Sequence, residues 1–185
     1  MNLTVIVVLA LWALLVVVVL ALYNGLVRSR LRVREAWSGV EVQLQRRASL
    51  IPNVVETVRG YAAHERETLE SVTRARTQLQ AATTPGEAVQ ANNQLTQALR
   101  SLFAVAEAYP DLKANESFRD LQAQLAETED KLAYARNYYN SLVLQYNSRV
   151  ATVPSALVAG PFGFKEAEFF EAGEEAQGPV RVSFS

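Results

Sequence analysis

Cysteine is absent from this 185-residue chain, and histidine occurs only once, as His64. The lack of cysteine excludes disulfides, thiolate metal sites and cysteine nucleophiles. A lone histidine needs carboxylates to complete a metal site, and as a general base it needs a nucleophile and an orienting acid from other segments. We therefore predict neither a metal nor a cofactor, and we interpret His64 as a surface or interhelical residue bonded to a carboxylate.

Motifs that bind phosphate or perform hydrolysis are also missing. The sequence has no glycine-rich phosphate loop, no Gly-x-Ser-x-Gly elbow and no His-Glu-x-x-His pair. The stretch from Gly160 to Gly163 lacks the lysine and the following helix that a phosphate cradle requires. Glu65 falls in register with an apolar helix face, where we expect it to pair with an arginine rather than act as an acid or base. These features predict no enzyme and no small-molecule substrate.

Neither sign of charge predominates. The 18 Lys and Arg residues are nearly balanced by 19 Asp and Glu residues, and the pI is about 5.9. Domains that bind nucleic acid in general are strongly basic. The charge balance therefore argues against a nucleic-acid partner.

The chain begins with a long apolar run. From Leu3 to Leu22 every residue except Thr4 is apolar. About 20 helical residues span roughly 30 Å, which matches the hydrocarbon core of a bilayer. A cleaved signal peptide is the alternative, but no Lys or Arg precedes the run, the run is longer than a signal core and no Ala-x-Ala site follows it. We predict a retained transmembrane anchor over residues 1–24.

The charges that flank the anchor predict its direction. No Lys or Arg precedes the apolar run, whereas four arginines follow it closely: Arg28, Arg30, Arg32 and Arg34. The positive-inside rule places that flank in the cytoplasm, so we expect a single-pass protein of the plasma or inner membrane with its N-terminus outside. Spacing by two scatters the guanidinium groups around a helix, which suits a collar among anionic lipid headgroups. The solvated start of a helix explains the same arginines.

Periodic apolar residues after the anchor predict four helical segments. The first continues the anchor helix, and we expect Pro52 to end it, because proline inside a helix clashes with the carbonyl four residues earlier. Asn53 and Glu56 have the spacing of a capping pair, which predicts the start of a second helix. The break at residues 83–86 precedes a third helix. Since short loops join long amphipathic helices, we predict an all-α fold with an antiparallel up-down four-helix bundle over residues 25–154.

The fourth segment has the clearest periodicity. It follows Pro110, with Asn115 or Ser117 as its cap. Its apolar positions alternate steps of three and four residues: Phe118, Leu121, Leu125, Thr128, Leu132, Ala135, Tyr139, Leu142 and Tyr146. This period of about 3.5 is typical of coiled-coil packing. Tyr134 and Tyr138 lie near Tyr139 on this helix and resemble a stacking platform, but we interpret such rings as core.

Residues 155–185 differ in character from the helices. They are rich in Gly, Pro and Phe, then acidic, and end in the alternating stretch 180–184, which allows one short strand. We predict an irregular tail that docks through four phenylalanines: Phe162, Phe164, Phe169 and Phe170. By helix parity the tail begins near the bilayer. Its apolar start is expected to rest at the membrane interface or to fold into a groove of the bundle.

Several motifs resemble those of the LemA family of bacterial membrane proteins. They are Tyr23-Asn24, the stretches Val33 to Gln45, Arg46 to Asn53, Val54 to Glu65 and Ala133 to Asn140, then Asn147, Gly163-Phe164 and Phe169 to Glu171. The resemblance covers essentially the whole chain after the anchor. It implies a four-helix cytoplasmic bundle with a short outward N-terminus. It implies no accepted activity, because members are generally described as being of uncertain function.

The absence of catalytic motifs and the presence of an anchor favour a non-enzymatic scaffold or adaptor of the bacterial cell envelope. We expect membrane lipids and either a second copy or another membrane protein as its partners, bound through helix faces. The candidate interaction motif lies at the bundle entry: Arg46, Arg47, Pro52, Asn53 and Glu56. Two alternatives stay open. One is a membrane-remodelling protein that acts through the arginine collar and apolar tail, and the other is a regulatory partner of a membrane peptidase or transporter.

Overall fold

Helices contain most of the residues that the computed structural model describes, which are residues 2–170. In chain order they are α1 (Leu3–Arg59), α2 (Arg66–Ala81), α3 (Pro85–Ala106), α4 (Pro110–Ala114), α5 (Glu116–Ala151) and α6 (Ala156–Ala159). Residues 2–170 contain no strand, so this part of the chain is all-α, as predicted. The stretch 180–184, for which the sequence allows a strand, lies outside the described residues.

Helix α1 is the longest element and differs from the prediction at Pro52. It continues past this residue, so Asn53 and Glu56 lie inside α1 and do not begin a second helix. Proline has no N–H to donate to the carbonyl of Ala48, which a regular helix would require. The Nε of Arg76, on α2, donates to that carbonyl at 3.0 Å. The predicted break at Pro52 is therefore wrong, because a side chain supplies the donor that proline lacks.

The first reversal of the chain lies at residues 60–65, between α1 and α2. The apolar positions predicted for one helix are thus divided between two helices and the turn that joins them. All of them are nevertheless buried: Val55, Val58, Ala62, Leu69, Val72 and Leu79. Their burial is compatible with a break at either place, which is why periodicity did not locate the reversal.

Helices α3 and α5 begin where the sequence predicts, whereas the short helices α4 and α6 were not predicted. The side chain of Thr84 accepts a hydrogen bond from the N–H of Glu87 at 3.2 Å, and the carboxylate of Glu87 accepts from the N–H of Thr84, so a capping box opens α3. Hydrogen bonds from Thr83 and Thr84 hold the pKa of Glu87 below its ordinary value. Asn115 caps α5, because its Oδ1 accepts from the N–H of Phe118 at 2.9 Å.

The predicted register of α5 agrees with burial. Seven of its positions are buried: Phe118, Leu121, Leu125, Thr128, Leu132, Tyr139 and Tyr146. Ala135 and Leu142 are partly exposed. The register therefore identifies the inward face of α5, whereas coiled-coil packing stays a prediction.

The described residues form two compact units, and α1 and α5 each contribute to both. The tail unit comprises residues 2–38 and 138–168. The helix unit comprises residues 39–137 with 169–170. The predicted segments 1–24, 25–154 and 155–185 stay a prediction. In the tail unit, residues 152–168 are grouped with the first part of α1.

Candidate functional site

The first part of α1, in the tail unit, is the candidate membrane-spanning segment. Among the described residues, α1 is the helix that is long and apolar enough to cross a membrane, and none of the residues in its apolar window is buried. Trp12 is 65% exposed and Leu15 is 56% exposed. Such a surface is unfavourable in water and favourable in lipid. One N-terminal helix is thus consistent with a membrane location.

The residues that follow the apolar segment alternate between covered and open positions. Leu26, Ser29 and Val33 are buried in the tail unit. The four arginines of the predicted collar, Arg28, Arg30, Arg32 and Arg34, are all exposed. Their guanidinium groups are therefore accessible to anions, and the collar stays a prediction.

A tight turn follows α6. The N–H of Phe164 donates to the carbonyl of Ala159 at 2.9 Å, and the N–H of Gly163 donates to the carbonyl of Gly160 at 3.1 Å. Gly163 has a φ of 70°, a left-handed conformation that glycine adopts without steric cost. The two bonds and this conformation form a Schellman motif. The turn reverses the chain, so that the following residues run along α5.

Tyr23 connects the tail to α1. Its ring centroid lies 5.1 Å from that of Phe162 and 5.6 Å from that of Phe164, both in edge-to-face geometry. Phe164 is buried, whereas Phe162 is 57% exposed. Such aromatic pairs each contribute about 0.5–1.5 kcal/mol beyond their buried area. The tail thus packs on α1 directly after the apolar segment.

Three side chains of α5 bind the main chain of the tail. The hydroxyl of Tyr146 donates to the carbonyl of Lys165 at 2.9 Å. The Nδ2 of Asn147 donates to the carbonyl of Ala167 at 2.9 Å, and its Oδ1 accepts from the N–H of Ala167 at 2.8 Å. The hydroxyl of Tyr139 donates to the carbonyl of the next residue, Glu168, at 2.7 Å. We call this set of hydrogen bonds the tail clasp.

The environment of the clasp keeps its hydroxyl groups protonated. Burial raises the pKa of Tyr139 to about 12, and the carboxylate of Glu168 acts in the same direction. Burial also raises the pKa of Tyr146, while Arg30 opposes this change. Both tyrosines are therefore neutral donors at physiological pH. Trp37 packs on the ring of Tyr139, with 5.3 Å between ring centroids.

Arg149 ties the end of α5 to α1. Its Nη1 donates to the Oγ of Ser29 at 2.8 Å and to the carbonyl of Gly25 at 3.4 Å. Ser29 is buried. The end of α5 therefore lies beside the residues that follow the apolar segment, as helix parity predicts.

The four tail phenylalanines differ in exposure. Phe164 and Phe170 are buried, Phe162 is largely exposed, and Phe169 is 38% exposed. The packing of Phe164 agrees with a tail that folds against its own helices. Docking through all four rings stays a prediction.

A buried charged cluster lies in the helix unit. The Nη1 of Arg47 donates to the Oδ1 of Asn92 at 2.5 Å and lies 2.8 Å from the Oε2 of Glu129. Burial lowers the pKa of Arg47, and the carboxylate of Glu129 opposes that change. The Nε of Arg47 and the Oε1 of Gln43 are buried without a hydrogen-bond partner in the described part of the chain. Arg47 is therefore buried and links α1, α3 and α5, and its role in partner binding stays a prediction.

The other residues of the predicted interaction motif lie on an open face of α1. Pro52, Asn53 and Glu56 are exposed. Arg46 lies 3.8 Å from a carboxylate oxygen of Glu127, and about half of each side chain is open to solvent, so this ion pair stabilises the fold little. Val42, one turn before Arg46, is 59% exposed. Together these residues form what we call the α1 face: Val42, Arg46, Pro52, Asn53 and Glu56.

Other candidate residues lie in ordinary positions. His64 is exposed in the turn between α1 and α2. Glu65 accepts a hydrogen bond from the hydroxyl of Tyr109 at 3.4 Å, so its observed partner is a tyrosine and not the expected arginine. Tyr139 is buried as predicted, but Tyr134 is 77% exposed and Tyr138 is 54% exposed, so the interpretation of all three rings as core is wrong.

An open cleft of about 370 Å³ lies between α2 and α3. It is lined by Ser71, Arg74, Ala75, Gln78, Gln94, Gln97, Ala98 and Ser101. Arg74 is the one charged side chain in this lining. Within residues 2–170, no group of three or more His, Asp and Glu residues is placed to hold a metal ion. Neither the cleft nor these side chains suggests a particular reaction.

Sequence reasoning missed the tail clasp and the donor at Pro52. Tyr139 and Tyr146 are in the apolar register, so their rings were expected and their hydroxyl bonds were not. The clasp side chains donate to main-chain carbonyls, and a carbonyl is present at every residue, so it carries no sequence signal. Nothing in the sequence marked Arg76 as the donor to the carbonyl of Ala48, because arginines are common on helix surfaces. The one available hint was Asn147, a polar residue directly after the register residue Tyr146.

Comparison with known proteins gives consistent results. A match to the LemA family covers residues 36–184. Magnetosome proteins MamQ 1 and MamQ 2 of Paramagnetospirillum magneticum are each 27% identical to the chain over 184 residues, which cover 85% of this chain and 68% of the relative. Protein LemA of Metamycoplasma hominis is 26% identical over 155 residues, covering 82% of this chain and 69% of the relative.

The family match extends over more than half of the chain and includes the last part of α1, the α1 face and the tail clasp. The LemA family and the MamQ proteins are not known enzymes. With its candidate membrane helix, its all-α described residues and this match, the chain belongs to the LemA family.

Proposed function

We propose that this chain is a non-enzymatic, membrane-anchored scaffold or adaptor of the bacterial cell envelope. The observation that carries the proposal is the composition of α1, which extends without a break from Leu3 to Arg59. Its first part is apolar and unburied, while its later part supplies core residues such as Val40, Ile51 and Val54. One helix is thus both the anchor and a structural element of the helix unit.

The helix unit is proposed to be an antiparallel up-down four-helix bundle of α1, α2, α3 and α5. Contacts that support this arrangement are the bond of Arg76 to α1, the bond of Arg47 to Asn92 on α3 and its ion pair with Glu129 on α5. Helices α2 and α3 also pack against each other. The 3.5-residue register of α5 supports coiled-coil packing in this bundle.

The anchor is proposed to cross the plasma or inner membrane once, with the N-terminus outside and the bundle in the cytoplasm. The support is the exposed arginines of the collar, since positive charge near a span stays in the cytoplasm. A protease added outside intact cells is expected to leave the bundle whole. Digestion of the bundle by that protease would contradict the orientation.

The α1 face is proposed as the surface through which the scaffold binds a protein partner, with a second copy as the first candidate. It combines an apolar residue, Val42, with charged and polar residues that make no close contacts in the core. The anchor itself carries no Gly-x-x-x-Gly motif, so its drive to associate inside the bilayer is small. Self-association would therefore depend on the part of the chain outside the membrane.

Analytical ultracentrifugation of the full chain in detergent tests this proposal. We expect association that increases with concentration and that Val42→Glu combined with Asn53→Arg weakens by at least about ten-fold, because burying the new charged groups costs desolvation energy and the apolar contact of Val42 is lost. Gln97→Arg, at an exposed site on α3, is the matched control and should leave association unchanged. Only monomer across a wide concentration range would contradict self-association, and an unchanged double variant would contradict the α1 face.

A second candidate is a membrane-remodelling protein. The observation in its favour is the exposure of Leu157 and Phe162, both close in sequence to the tail residues that pack on α1. Purified protein added to liposomes distinguishes the two functions. Reshaped vesicles would favour remodelling, and unchanged vesicles would favour a scaffold.

A regulatory role toward a membrane peptidase or transporter differs from the scaffold only in the partner. The relatives named magnetosome proteins support a role at a cellular structure more than a metabolic one. A crosslinking pull-down from native membranes would identify such a partner. A transporter or peptidase recovered with the wild type and lost with the Val42→Glu/Asn53→Arg variant would favour this role.

A further inference from the structure

The segment from Val153 to Phe162 has an apolar surface that is exposed in the described part of the chain, residues 2–170. Val153 is 73% exposed, Leu157 is 71% exposed and Phe162 is 57% exposed. Val158 and Ala159 in the same segment are buried, so the segment is anchored on one side and bare on the other. Three large apolar side chains within ten residues at such exposure are unfavourable in water.

This bare surface lies next to the candidate membrane span. The ring of Phe162 packs on Tyr23, which immediately follows the apolar run of α1. Arg149, just before the segment, reaches the carbonyl of Gly25. Tyrosine is frequent at the boundary between hydrocarbon and headgroups. The bare surface therefore continues the apolar surface of α1 at the level where the helix leaves the bilayer.

The charges of the tail unit are mainly positive, because its six cations outnumber Glu35, Glu166 and Glu168. No Asp or Glu occurs among residues 2–34 or 148–165. Six cations lie in these two stretches, and all are exposed: Arg28, Arg30, Arg32, Arg34, Arg149 and Lys165. Anionic headgroups attract each such cation near a membrane surface by about 1 kcal/mol. Exposed apolar residues in a unit with an excess of cations match the chemistry of an anionic bilayer surface.

We propose that Val153, Leu157 and Phe162 form a second membrane contact, which inserts into the boundary between headgroups and acyl chains of an anionic phospholipid bilayer. We call these residues the lipid wedge. The inference rests on the proposed anchor and adds a contact that the anchor does not require. It fixes the end of α5 and the tail at the bilayer surface, so a single-pass protein holds the membrane at two places.

The other occupants of this surface are less compatible with the tail unit. Within residues 2–170 no groove holds these side chains, since each of the three is more than half exposed. A second copy of the chain would bring another set of the same cations to this surface, and like charges repel. A lipid bilayer offers hydrocarbon to the apolar side chains and anionic headgroups to the cations.

The absence of cysteine allows a direct test with single-cysteine variants of the full chain. Leu157→Cys reports on the wedge, and Leu15→Cys reports on the anchor. Ser141→Cys is the control, because Ser141 is exposed on α5 and lies about 12 Å back along the helix from Arg149. Each variant is labelled with an environment-sensitive fluorophore and reconstituted into vesicles of phosphatidylcholine and phosphatidylglycerol. Quenchers are a doxyl group high on the lipid acyl chain and aqueous iodide.

We expect the Leu157 label to be quenched by the doxyl lipid several-fold more than the Ser141 label, and to be protected from iodide. The Leu15 label should also be quenched by doxyl lipid. A Leu157 label that iodide quenches as strongly as the Ser141 label, while Leu15 stays in lipid, would overturn the wedge and leave the anchor intact. If Leu15 is also outside lipid, the anchor fails and the wedge fails with it.

Protection of the Leu157 label from both quenchers would show that protein covers it, and this result would also overturn the proposal in favour of a second copy. Val153→Cys repeats the test at a second exposed site, in case the label at Leu157 disturbs α6. The same pattern of quenching is expected there. Replacing phosphatidylglycerol by phosphatidylcholine should reduce doxyl quenching of the wedge labels and leave that of Leu15 unchanged.

Discussion

The tail unit and the helix unit are stabilised by different kinds of contact. In the helix unit, apolar side chains at helical spacing form the core, with one charged cluster around Arg47. In the tail unit, three side chains of α5 bind main-chain atoms of residues 165–168. The helix unit therefore depends on which side chains the sequence places inward. The tail clasp depends on three residues and on almost none of the side chains of the segment that it binds.

The two kinds of contact tolerate changes of sequence differently. Main-chain carbonyls are the same for every residue, so the sequence of residues 165–168 is free to change without loss of the clasp. Tyr139, Tyr146 and Asn147 are not free in this way, because each supplies a specific donor. Changes in the helix unit should thus reduce global stability, and changes in the clasp should act locally.

The largest effect is expected from emptying a core position of the helix unit. Leu132 is 3% exposed and lies in the α5 register. Leu132→Ala should lower the free energy of unfolding by about 2–5 kcal/mol, because it removes buried methylene groups and leaves a cavity. Urea unfolding of the full chain in detergent, followed by circular dichroism, measures the change. Gln124→Ala, at an exposed position on the same helix, should be near neutral, and equal shifts for the two variants would show that the register is misread.

The next effect is expected in the charged cluster. Asn92→Ala leaves the buried guanidinium of Arg47 with one partner fewer, which should cost about 1–3 kcal/mol of unfolding free energy. Arg47→Met in the same chain should recover part of this loss, since no buried charge then remains. Glu129→Gln should cost less than Asn92→Ala, because the Glu129 side chain is 49% exposed. A greater loss for Glu129→Gln would show that the ion pair and not the amide holds Arg47.

A smaller effect is expected at Pro52. Arg76→Ala removes the donor to the buried carbonyl of Ala48 and should cost about 1–2 kcal/mol. In a Pro52→Ala background the helix supplies its own N–H, so the same change should cost about 1 kcal/mol less. A double-mutant cycle by urea unfolding measures this coupling. Arg74→Ala, at an exposed site of α2, is the control and should show no coupling with Pro52.

Changes in the clasp are expected to act locally. Asn147→Leu removes both hydrogen bonds to Ala167, which should weaken this contact by about 1–2 kcal/mol. Hydrogen exchange followed by mass spectrometry should then show faster exchange at residues 165–168 and little change in α2 and α3. Ser148→Ala, at the next and exposed position, should have no such effect. Faster exchange throughout the chain would contradict the local character of the clasp.

The smallest effect concerns pH. The pKa of Tyr139 is raised by burial to about 12, above the value of about 10 for an unfolded tyrosine. The folded state therefore holds this proton more tightly, so its contribution to stability is complete below pH 10 and is lost as the pH rises toward 12. Unfolding at pH 9 and pH 11 should show a smaller pH-dependent loss in Tyr139→Phe than in wild type. Equal losses would show that Tyr139 is not a neutral donor in the folded chain.

The sequence predicted those features that depend on side-chain periodicity. The all-α character, the breaks near residues 83 and 115 and the inward face of α5 follow from apolar spacing and capping residues. We predicted the first reversal at Pro52, but α1 continues through this residue. A proline in the sequence does not show that Arg76, on another helix, donates to the carbonyl that the proline leaves free. The exposure of Tyr134 and Tyr138 agrees with the α5 register, which omits both positions, so the interpretation of these rings as core ignored that register.

The candidate site was less predictable than the fold. Arg46, Pro52, Asn53 and Glu56 were selected together with Arg47, yet Arg47 is buried in the helix unit. No local rule separates a partner-binding arginine from one that lies in a core, because the difference arises from Asn92 and Glu129 on other helices. The lipid wedge depends in the same way on contacts from other elements. The sequence shows apolar residues around Pro154, but their exposure depends on which of them Tyr23 and α5 cover.

The most direct test of this account compares the two units in native membranes. A photoreactive benzoylphenylalanine is placed at Leu157 in the tail unit or at Val42 in the helix unit, and crosslinked products are separated by mass. We expect lipid adducts from position 157 and protein adducts from position 42, because the lipid wedge is proposed to contact the bilayer and the α1 face is proposed to bind a partner. Protein adducts from position 157 together with no protein adduct from position 42 would contradict it.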